Sequence, residues 1–145
     1  MKILVQRVSN ACVEVDEKKV GSIDLGALVF VGITHSDTKE NAIWLASKFV
    51  NLRIFSDEQG KLNLSLLEKK GSALIISQFT LYGDCMEGRR PSFTKAATPD
   101  VAQYIYEEFV KEVRRLGVHV ETGIFGAKMK VSLVNEGPMT LMIEK

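Results

Sequence analysis

The stretch Ala27–Ile33, with the sequence ALVFVGI, is apolar at almost every position and decides the fold class. An apolar run without alternation is typical of a strand buried on both faces, so we predict a central strand here. Before it, Ala11, Val13 and Val15 alternate with Cys12, Glu14 and Asp16, which indicates a half-buried strand. A turn and a short return strand, Val20–Leu25, join the two. Because these links are short, antiparallel pairing is favoured.

Later in the chain, strand and helix patterns alternate. Apolar residues recur at i, i+3 and i+4 in Thr38–Arg53 and in Thr98–Leu116, which predicts two amphipathic helices. Strand patterns occupy Ser72–Phe79, Val118–Thr122, Lys128–Val134 and Met139–Glu144. We therefore predict an α+β fold, with a mainly antiparallel curved sheet or barrel-like core and two flanking helices. No linker or repeat divides residues 1–145, so we expect a single domain.

Composition excludes several classes of function. The 145 residues carry 19 basic and 18 acidic side chains, which disfavours a protein that wraps DNA by charge but leaves room for a local basic patch. Cys12 and Cys85 lack metal-ligand spacing, so we expect neither a metal nor a cofactor. Met1–Val8 contains no apolar run of signal or membrane length, and we expect a cytoplasmic protein.

Ser77-Gln78-Phe79-Thr80 is the first candidate site. An apolar strand runs directly into hydroxyl, amide and aromatic side chains, which is a suitable place for a ligand. Ser77 and Thr80 are possible nucleophiles or hydrogen-bond donors. Hydroxyls at strand ends more often satisfy local backbone groups, so this pattern alone leaves a structural role open.

Two further segments stand out. Arg89, Arg90 and Lys95 lie in one loop with an aromatic residue, a set that suits phosphate contacts but also occurs on ordinary solvated loops. Gly137-Pro138 stands between two predicted strands, where a simple turn is the common outcome. A cis bond before Pro138 would instead direct two successive carbonyls the same way and offer acceptors for an ammonium group.

Taken together, the motifs resemble the D-aminoacyl-tRNA deacylases of the D-tyrosyl-tRNA deacylase type, over essentially the whole chain. The matching stretches are Gln6-Arg7-Val8, Arg53-Ile54-Phe55-Ser56-Asp57 with Gly60-Lys61 and Asn63, Ser77-Gln78-Phe79-Thr80-Leu81, Gly88 with Arg90-Pro91-Ser92-Phe93, and Val131-Ser132-Leu133-Val134-Asn135 with Gly137-Pro138 and Thr140. Met139 departs from the valine common in the family after Gly-Pro.

The resemblance implies a homodimeric hydrolase, with the active site at the subunit interface, that cleaves the ester bond of D-aminoacyl-tRNA. Ser77, Gln78, Phe79 and Thr80 would line the pocket for the 3′-terminal aminoacyl-adenosine. Gly137-Pro138 would enter the partner's pocket, hold the substrate amino group and reject L-amino acids, and Arg7 would anchor it. Phe125 and Met129 would be pocket walls, although a plain core role suits them equally.

This reading also predicts acceptance of glycine mischarged on tRNA-Ala, and tRNA contacts from Arg89, Arg90 and Lys95. For the chemical step, the resemblance allows a Thr80 nucleophile or a water assisted by the ribose 2′-OH, with backbone N–H groups near Phe79 stabilising the oxyanion. We favour water, since no activating histidine or lysine is near Thr80 in sequence. Two alternatives are a related deacylase with a trans Gly-Pro that acts on mischarged L-alanine, and a non-catalytic tRNA-binding module.

Overall fold

The computed structural model describes residues 1–145 and contains eight strands, three α-helices and one short 3-10 helix. The strands are β1 (Lys2–Val15), β2 (Lys18–Ile23), β3 (Gly26–Gly32), β4 (Phe55–Ser56), β5 (Leu62–Leu64), β6 (Ser72–Ser77), β7 (Val120–Thr122) and β8 (Lys130–Glu144). The helices are α1 (Lys39–Val50), α2 (Leu66–Lys69) and α3 (Pro99–Arg115), with the 3-10 helix at Phe79–Tyr82. The predicted α+β class is confirmed, and the four-residue α2 is an addition to the two expected helices.

Six strands form one curved sheet, in the order β2-β1-β3-β6-β7, and β8 pairs with the other side of β1. Strand β1 pairs antiparallel with β2 and β3, as the short links predict, and it also pairs antiparallel with β8 from the other end of the chain. The β3–β6 and β6–β7 pairs are parallel instead, because the segments containing α1 and α3 are long enough for crossovers. The sheet curls until β2 approaches β7: a Cβ added to Gly21 would lie 2.7 Å from the Thr122 carbonyl oxygen.

Two apolar cores fill the two sides of this curved sheet. The smaller lies inside the curve and contains seven buried residues, among them Val8, Val13 and Leu74. The larger contains 24 buried residues and lies between the outer face and the helices, where Phe49 of α1 packs against Phe109 of α3 with ring centroids 6.4 Å apart. Helices α1 and α3 therefore cover one face of the sheet, as their amphipathic patterns predict.

Helix α3 begins where its sequence directs. Thr98 is the N-cap, Pro99 occupies the first helical position and Asp100 supplies an acid to the first turn. The helix ends before Gly117, which has a φ of +96°. None of the helices is both long enough and apolar enough to cross a membrane.

The C-terminal region differs from the sequence prediction. Two strands separated by a turn at Asn135–Pro138 were expected, but β8 is one strand of 15 residues. Its pairing with β1 is interrupted by a bulge: Gln6 pairs with Thr140 and Val8 with Asn135, so the four residues Glu136–Met139 lie opposite Arg7 alone. The excess chain projects from the sheet and carries the Gly137–Pro138 peptide bond, which is cis.

Candidate active site

A cavity of about 570 Å³ opens between the end of β6, the start of α3 and the segment before β8. Sixteen residues line it and twelve of them are hydrophobic, a character typical of sites for small organic groups. Ser77, Gln78 and Phe79 line it from the β6 end, and Phe125 and Met129 line it from the other side. Five of the residues expected at the site therefore lie around one cavity.

The backbone turns sharply at the polar end of this cavity. The Gln78 amide donates to the Val31 carbonyl over 2.7 Å, which keeps the end of β6 attached to β3. The next two residues begin the 3-10 helix, and the N–H groups of Phe79 and Thr80 donate to no other group of the chain. Backbone donors without an internal partner are suited to an anionic oxygen, because such an oxygen accepts several hydrogen bonds at once.

Thr80 lies next to the cavity and does not line it. Its hydroxyl accepts a hydrogen bond from the Gln78 side-chain amide, and its side chain is exposed. No histidine, lysine or carboxylate bonds to the Thr80 hydroxyl. The structure therefore gives this hydroxyl an amide partner and no general base, which argues against its activation as a nucleophile.

Two aromatic rings stand at the cavity mouth. Phe79 and Phe93 meet edge to face with centroids 5.1 Å apart, and both line the cavity while remaining partly exposed. Gly83 permits this contact, since a Cβ added there would lie 3.0 Å from the Phe93 ring. Exposed aromatic faces beside an apolar cavity provide a surface on which a nucleobase can stack.

The basic loop before α3 divides into a fixed base and an exposed tip. Asp84 and Ser92 exchange backbone hydrogen bonds of 2.7 and 2.8 Å, and Lys95 forms an ion pair of 2.8 Å with Asp84. The hydrogen bond from the Lys95 ammonium lowers the pKa of the Asp84 carboxyl below its usual value. Lys95 is therefore engaged within the loop, whereas Arg89 and Arg90 at the exposed tip form no ion pair.

Gly137 and Pro138 lie away from the cavity of their own chain. Neither residue lines it, and a Cβ added to Gly137 would meet nothing within 4 Å. Arg7, which is 9% exposed, holds this segment with two hydrogen bonds to its carbonyls and connects it to Ile54 with a third. Its guanidinium donates to Glu136 over 3.2 Å, to Gly137 over 3.0 Å and to Ile54 over 2.6 Å. Since a carbonyl oxygen has two lone pairs, Gly137 keeps one acceptor position for another donor.

Sequence reasoning missed the third side of the cavity. Ala96, Ala97, Pro99 and Ala102 line it from the loop before α3 and from the first turns of that helix. The sequence does indicate this side of the cavity through a series of small side chains around the start of α3. Small side chains leave empty volume between a helix and a sheet. No group of three His, Cys, Asp or Glu side chains is placed to hold a metal ion.

Comparison with known proteins gives a consistent result. Residues 4–144 match the family described as D-Tyr-tRNA(Tyr) deacylase. The chain is 56% identical over 145 residues to the D-aminoacyl-tRNA deacylase of an Exiguobacterium species, covering 100% of this chain and 99% of that protein. It is 56% identical over 144 residues to the D-aminoacyl-tRNA deacylase of Thermosipho africanus, covering 99% and 97%.

Solved structures share the same architecture. One described as "c-Myc DNA Unwinding Element Binding Protein" superposes with a TM-score of 0.94 at 35% identity and covers 100% of this chain and 99% of its own. One described as "a probable eukaryotic D-amino acid tRNA deacylase" superposes with a TM-score of 0.84 and covers 98% of this chain and 97% of its own. At 21% identity, this second likeness concerns the fold alone.

Proposed function

This chain belongs to the D-Tyr-tRNA(Tyr) deacylase family, and from that premise we propose that its cavity binds the 3′-terminal aminoacyl-adenosine of a tRNA. The enzyme is a hydrolase that cleaves the ester bond of D-aminoacyl-tRNA and releases the D-amino acid and the tRNA. The observation that carries the assignment of the site is the cavity itself, which joins free backbone donors at Phe79 to an apolar lining and an aromatic pair.

In this assignment the adenine stacks on Phe79 and Phe93, and the ester carbonyl lies against the free N–H groups of Phe79 and Thr80. Negative charge develops on the carbonyl oxygen when the ester is attacked, and those donors stabilise it without rearranging. Phe125 and Met129 close the apolar side of the site. Arg89 and Arg90, which have no internal partners, contact tRNA phosphates, and Lys95 contributes mainly by holding Asp84.

The attacking group in this proposal is water, and the ribose 2′-OH assists it. The Gln78 amide donates to the Thr80 hydroxyl and so reduces the electron density available for attack. Thr80→Ala is therefore expected to keep hydrolysis of D-Tyr-tRNA within about tenfold of the unchanged enzyme, whereas a tRNA ending in 2′-deoxyadenosine is expected to react far more slowly. If Thr80→Ala abolishes hydrolysis while tRNA still binds, Thr80 is the nucleophile and the water mechanism is wrong.

Selectivity for the D-ester follows if the substrate amino group and ester carbonyl are both fixed. The side chains of D- and L-residues then point in opposite directions, and the backbone of Gly137-Pro138 can obstruct one of them. Such a site rejects by steric clash and does not read the side chain, so it accepts many D-amino acids. Glycine has no side chain to clash, and glycine mischarged on tRNA-Ala is a further substrate of this proposal.

A homodimer would bring the Gly137-Pro138 segment of one chain to the cavity of the other. Gly137 and Pro138 do not line their own cavity, and β8 pairs only with β1, leaving a 15-residue edge strand open. Val134, Leu141 and Met142 of β8 are also exposed. An open strand edge with apolar side chains is suited to pairing with another chain. We place the dimer in the cytoplasm, where aminoacyl-tRNA is consumed in translation.

Filling the cavity tests its assignment. Ala102 lines the cavity from α3, and Val101 is its exposed neighbour on the same helix. Ala102→Phe is expected to lower kcat/KM for D-Tyr-tRNA by about 10²-fold or more, because the added ring occupies the substrate volume. Val101→Phe, the matched control, is expected to remain within about twofold. Full activity in a folded Ala102→Phe variant, checked by thermal unfolding, would place the active site elsewhere.

A further inference from the structure

The bulge in β8 leaves two backbone carbonyls without a partner in the β1–β8 ladder. Arg7 and Met139 both lie in the interval between the Gln6–Thr140 and Val8–Asn135 pairs, and neither has a partner in the other strand. The side-chain amide of Asn135 donates to the Arg7 carbonyl over 2.9 Å and to the Met139 carbonyl over 3.1 Å. One side chain thus connects β1 with the far end of the bulge.

Two further hydrogen bonds fix the orientation of the Asn135 side-chain amide. The Thr140 hydroxyl donates to Asn135 Oδ1 over 3.4 Å, and Gln6 Nε2 donates to the same hydroxyl over 3.2 Å. With Oδ1 engaged by Thr140, both hydrogens of the Asn135 amide are directed at the two carbonyls. Gln6, Thr140 and Asn135 therefore form a continuous series of side-chain contacts beside the bulge.

Arg7 holds the bulge at a different point. Its guanidinium binds the Glu136 and Gly137 carbonyls, on the N-terminal side of Pro138. The Asn135 amide binds the Met139 carbonyl, on the C-terminal side of Pro138. With only one of these contacts, the Gly137-Pro138 segment could pivot about the end that remains held. With both, its position relative to β1 is determined.

We propose that Asn135 is a positioning residue for chiral selectivity, and that Thr140 and Gln6 orient its amide for this task. The inference rests on the proposed function, in which Gly137-Pro138 excludes the L-ester. Asn135 touches no reacting atom; it fixes the backbone that the L-side chain would meet. A displacement of about 1 Å in such an obstructing group is enough to change discrimination by about 10²-fold.

A merely structural role for Asn135 predicts a different result. If it served only to stabilise β8, its loss would lower the melting temperature and reduce hydrolysis of D- and L-esters in the same proportion. A positioning role predicts that the ratio of the two rates changes, because a displaced obstruction admits the L-ester while the D-ester still reacts. The ratio of kcat/KM for D-Tyr-tRNA to that for L-Tyr-tRNA therefore separates the two roles.

Asn135→Asp is the sharpest variant, since it keeps the shape of the side chain but removes both donors. Asn10→Asp is the matched control: it makes the same change on β1, where the exposed amide meets only the Ser9 hydroxyl. We expect Asn135→Asp to lower the D/L ratio by at least about tenfold, chiefly through faster L-ester hydrolysis, and Asn10→Asp to leave it within about twofold. An unchanged ratio in folded Asn135→Asp would overturn the inference.

A second pair of variants keeps the test valid if Asn135→Asp does not fold. Thr140→Val removes the hydroxyl that orients the amide, and Thr140→Ser retains it. We expect the D/L ratio to fall for Thr140→Val and to be restored for Thr140→Ser. Equal ratios for these two variants would contradict the role assigned to Thr140 and, with it, the orientation of Asn135.

Amide hydrogen exchange at Asn135 and Thr140, the paired residues that flank the bulge, separates failure of this inference from failure of the proposed function. If the unchanged enzyme does not cleave D-Tyr-tRNA, the proposed function is wrong, whatever the variants do. Exchange reports on the bulge without any substrate, and we expect it to accelerate in Asn135→Asp and to be unchanged in Asn10→Asp. Unchanged exchange in folded Asn135→Asp would show that Asn135 does not hold the bulge, even in an active enzyme.

Discussion

At the scale of single residues, Arg7 uses its charge to fix backbone and forms no ion pair. Arg7 is nearly buried and donates to three carbonyls from two distant segments, those of Ile54, Glu136 and Gly137. A guanidinium suits this task because its donors lie in a rigid plane and can serve several acceptors at once. The position of Gly137-Pro138 therefore depends on a side chain about 130 residues earlier in the chain.

Arg7→Lys is expected to damage both stability and activity. A lysine ammonium carries the same charge but cannot present the planar set of donors, so at least one of the three carbonyls is left without its partner. We expect the free energy of unfolding to fall by about 1.5–3 kcal/mol in a urea titration, with reduced hydrolysis of D-Tyr-tRNA. Arg53→Lys, at an exposed position, is the control. Wild-type stability in Arg7→Lys would contradict this role for the guanidinium.

Two buried tyrosines give a matched comparison of hydrogen-bonded and unbonded hydroxyls. Tyr106 and Tyr82 are 6% and 7% exposed, but only Tyr106 has a partner: it donates to the Ile75 carbonyl over 2.8 Å. At neutral pH we expect Tyr106→Phe to lower the free energy of unfolding by about 1 kcal/mol and Tyr82→Phe to lower it little or not at all. Equal losses for the two variants would contradict this comparison.

The same tyrosines predict sensitivity to alkaline pH. Burial raises the pKa of both phenols above the ordinary value, so the unfolded chain loses these protons first. The stability linked to each phenol is complete below about pH 10 and is lost as the pH rises above that value towards the folded-state pKa. We expect urea titrations to show this decline, and to show a shallower one in Tyr106→Phe. If Tyr106→Phe leaves this decline in stability unchanged, groups other than Tyr106 cause it.

At the scale of elements, the amphipathic and apolar patterns located most of the secondary structure. Helix α3 was predicted as Thr98–Leu116 and is observed as Pro99–Arg115, since its cap residues are local in sequence. The buried strand β3 was predicted as Ala27–Ile33 and is observed as Gly26–Gly32, because its continuous apolar run is also local in sequence. The continuity of β8 could not be predicted, because its bulge depends on hydrogen bonds to Arg7 and β1, at the opposite end of the chain.

The sequence predicted some of the residues that line the cavity and not others. Ser77–Phe79, Phe125 and Met129 do line one cavity, and motif resemblance singled them out. Ala96, Ala97 and Ala102 were not predicted to line a cavity, because small residues show no pattern until a sheet lies opposite them. Thr80 and Lys95 were placed in the site by sequence, but each is engaged by a neighbour, Gln78 and Asp84 respectively.

The parallel contact between β3 and β6 depends on a close backbone approach at Gly26. A Cβ added there would lie 1.9 Å from the Ser72 carbonyl oxygen, which cannot move without disturbing the strand pair. Gly26→Ala is expected to lower the free energy of unfolding by about 3 kcal/mol. A smaller loss, of about 1 kcal/mol, is expected for Gly71→Ala, where a Cβ would lie 2.8 Å from the end of the Leu66 side chain and 3.2 Å from the nearest backbone atom, the Cα of Gly26. Chemical denaturation measures both losses. A loss of stability for Gly71→Ala that equals or exceeds the loss for Gly26→Ala would contradict the importance of this contact.

At the scale of the whole molecule, the proposed active site is built from two chains. The cavity and the Gly137-Pro138 segment are separate within a single chain, and β8 leaves an open edge. In a two-fold symmetric dimer, each chain can supply the cavity for one site and the excluding segment for the other.

Mixing two variants tests this arrangement. Ala102→Phe blocks the cavity, and Arg7→Gln releases the Gly137-Pro138 segment and so admits the L-ester. If the two are unfolded and refolded together, half of the dimers contain one of each, and the one open cavity of each such dimer meets an intact segment. We expect the mixture to hydrolyse D- and L-Tyr-tRNA with a D/L ratio about twice that of Arg7→Gln alone. A ratio equal to that of Arg7→Gln, in a mixture that forms dimers on gel filtration, would mean that each chain completes its own site.

The enzyme hydrolyses D-aminoacyl-tRNA, and we propose that it rejects the L-form by steric exclusion. The direct measurement is deacylation of D-Tyr-tRNA, L-Tyr-tRNA, L-Ala-tRNA and Gly-tRNA by the purified enzyme under single-turnover conditions. We expect rapid loss of the D-Tyr and glycyl esters and no loss of either L-ester above the uncatalysed rate. Rapid hydrolysis of L-Tyr-tRNA or L-Ala-tRNA, or an intact D-Tyr-tRNA, would contradict it.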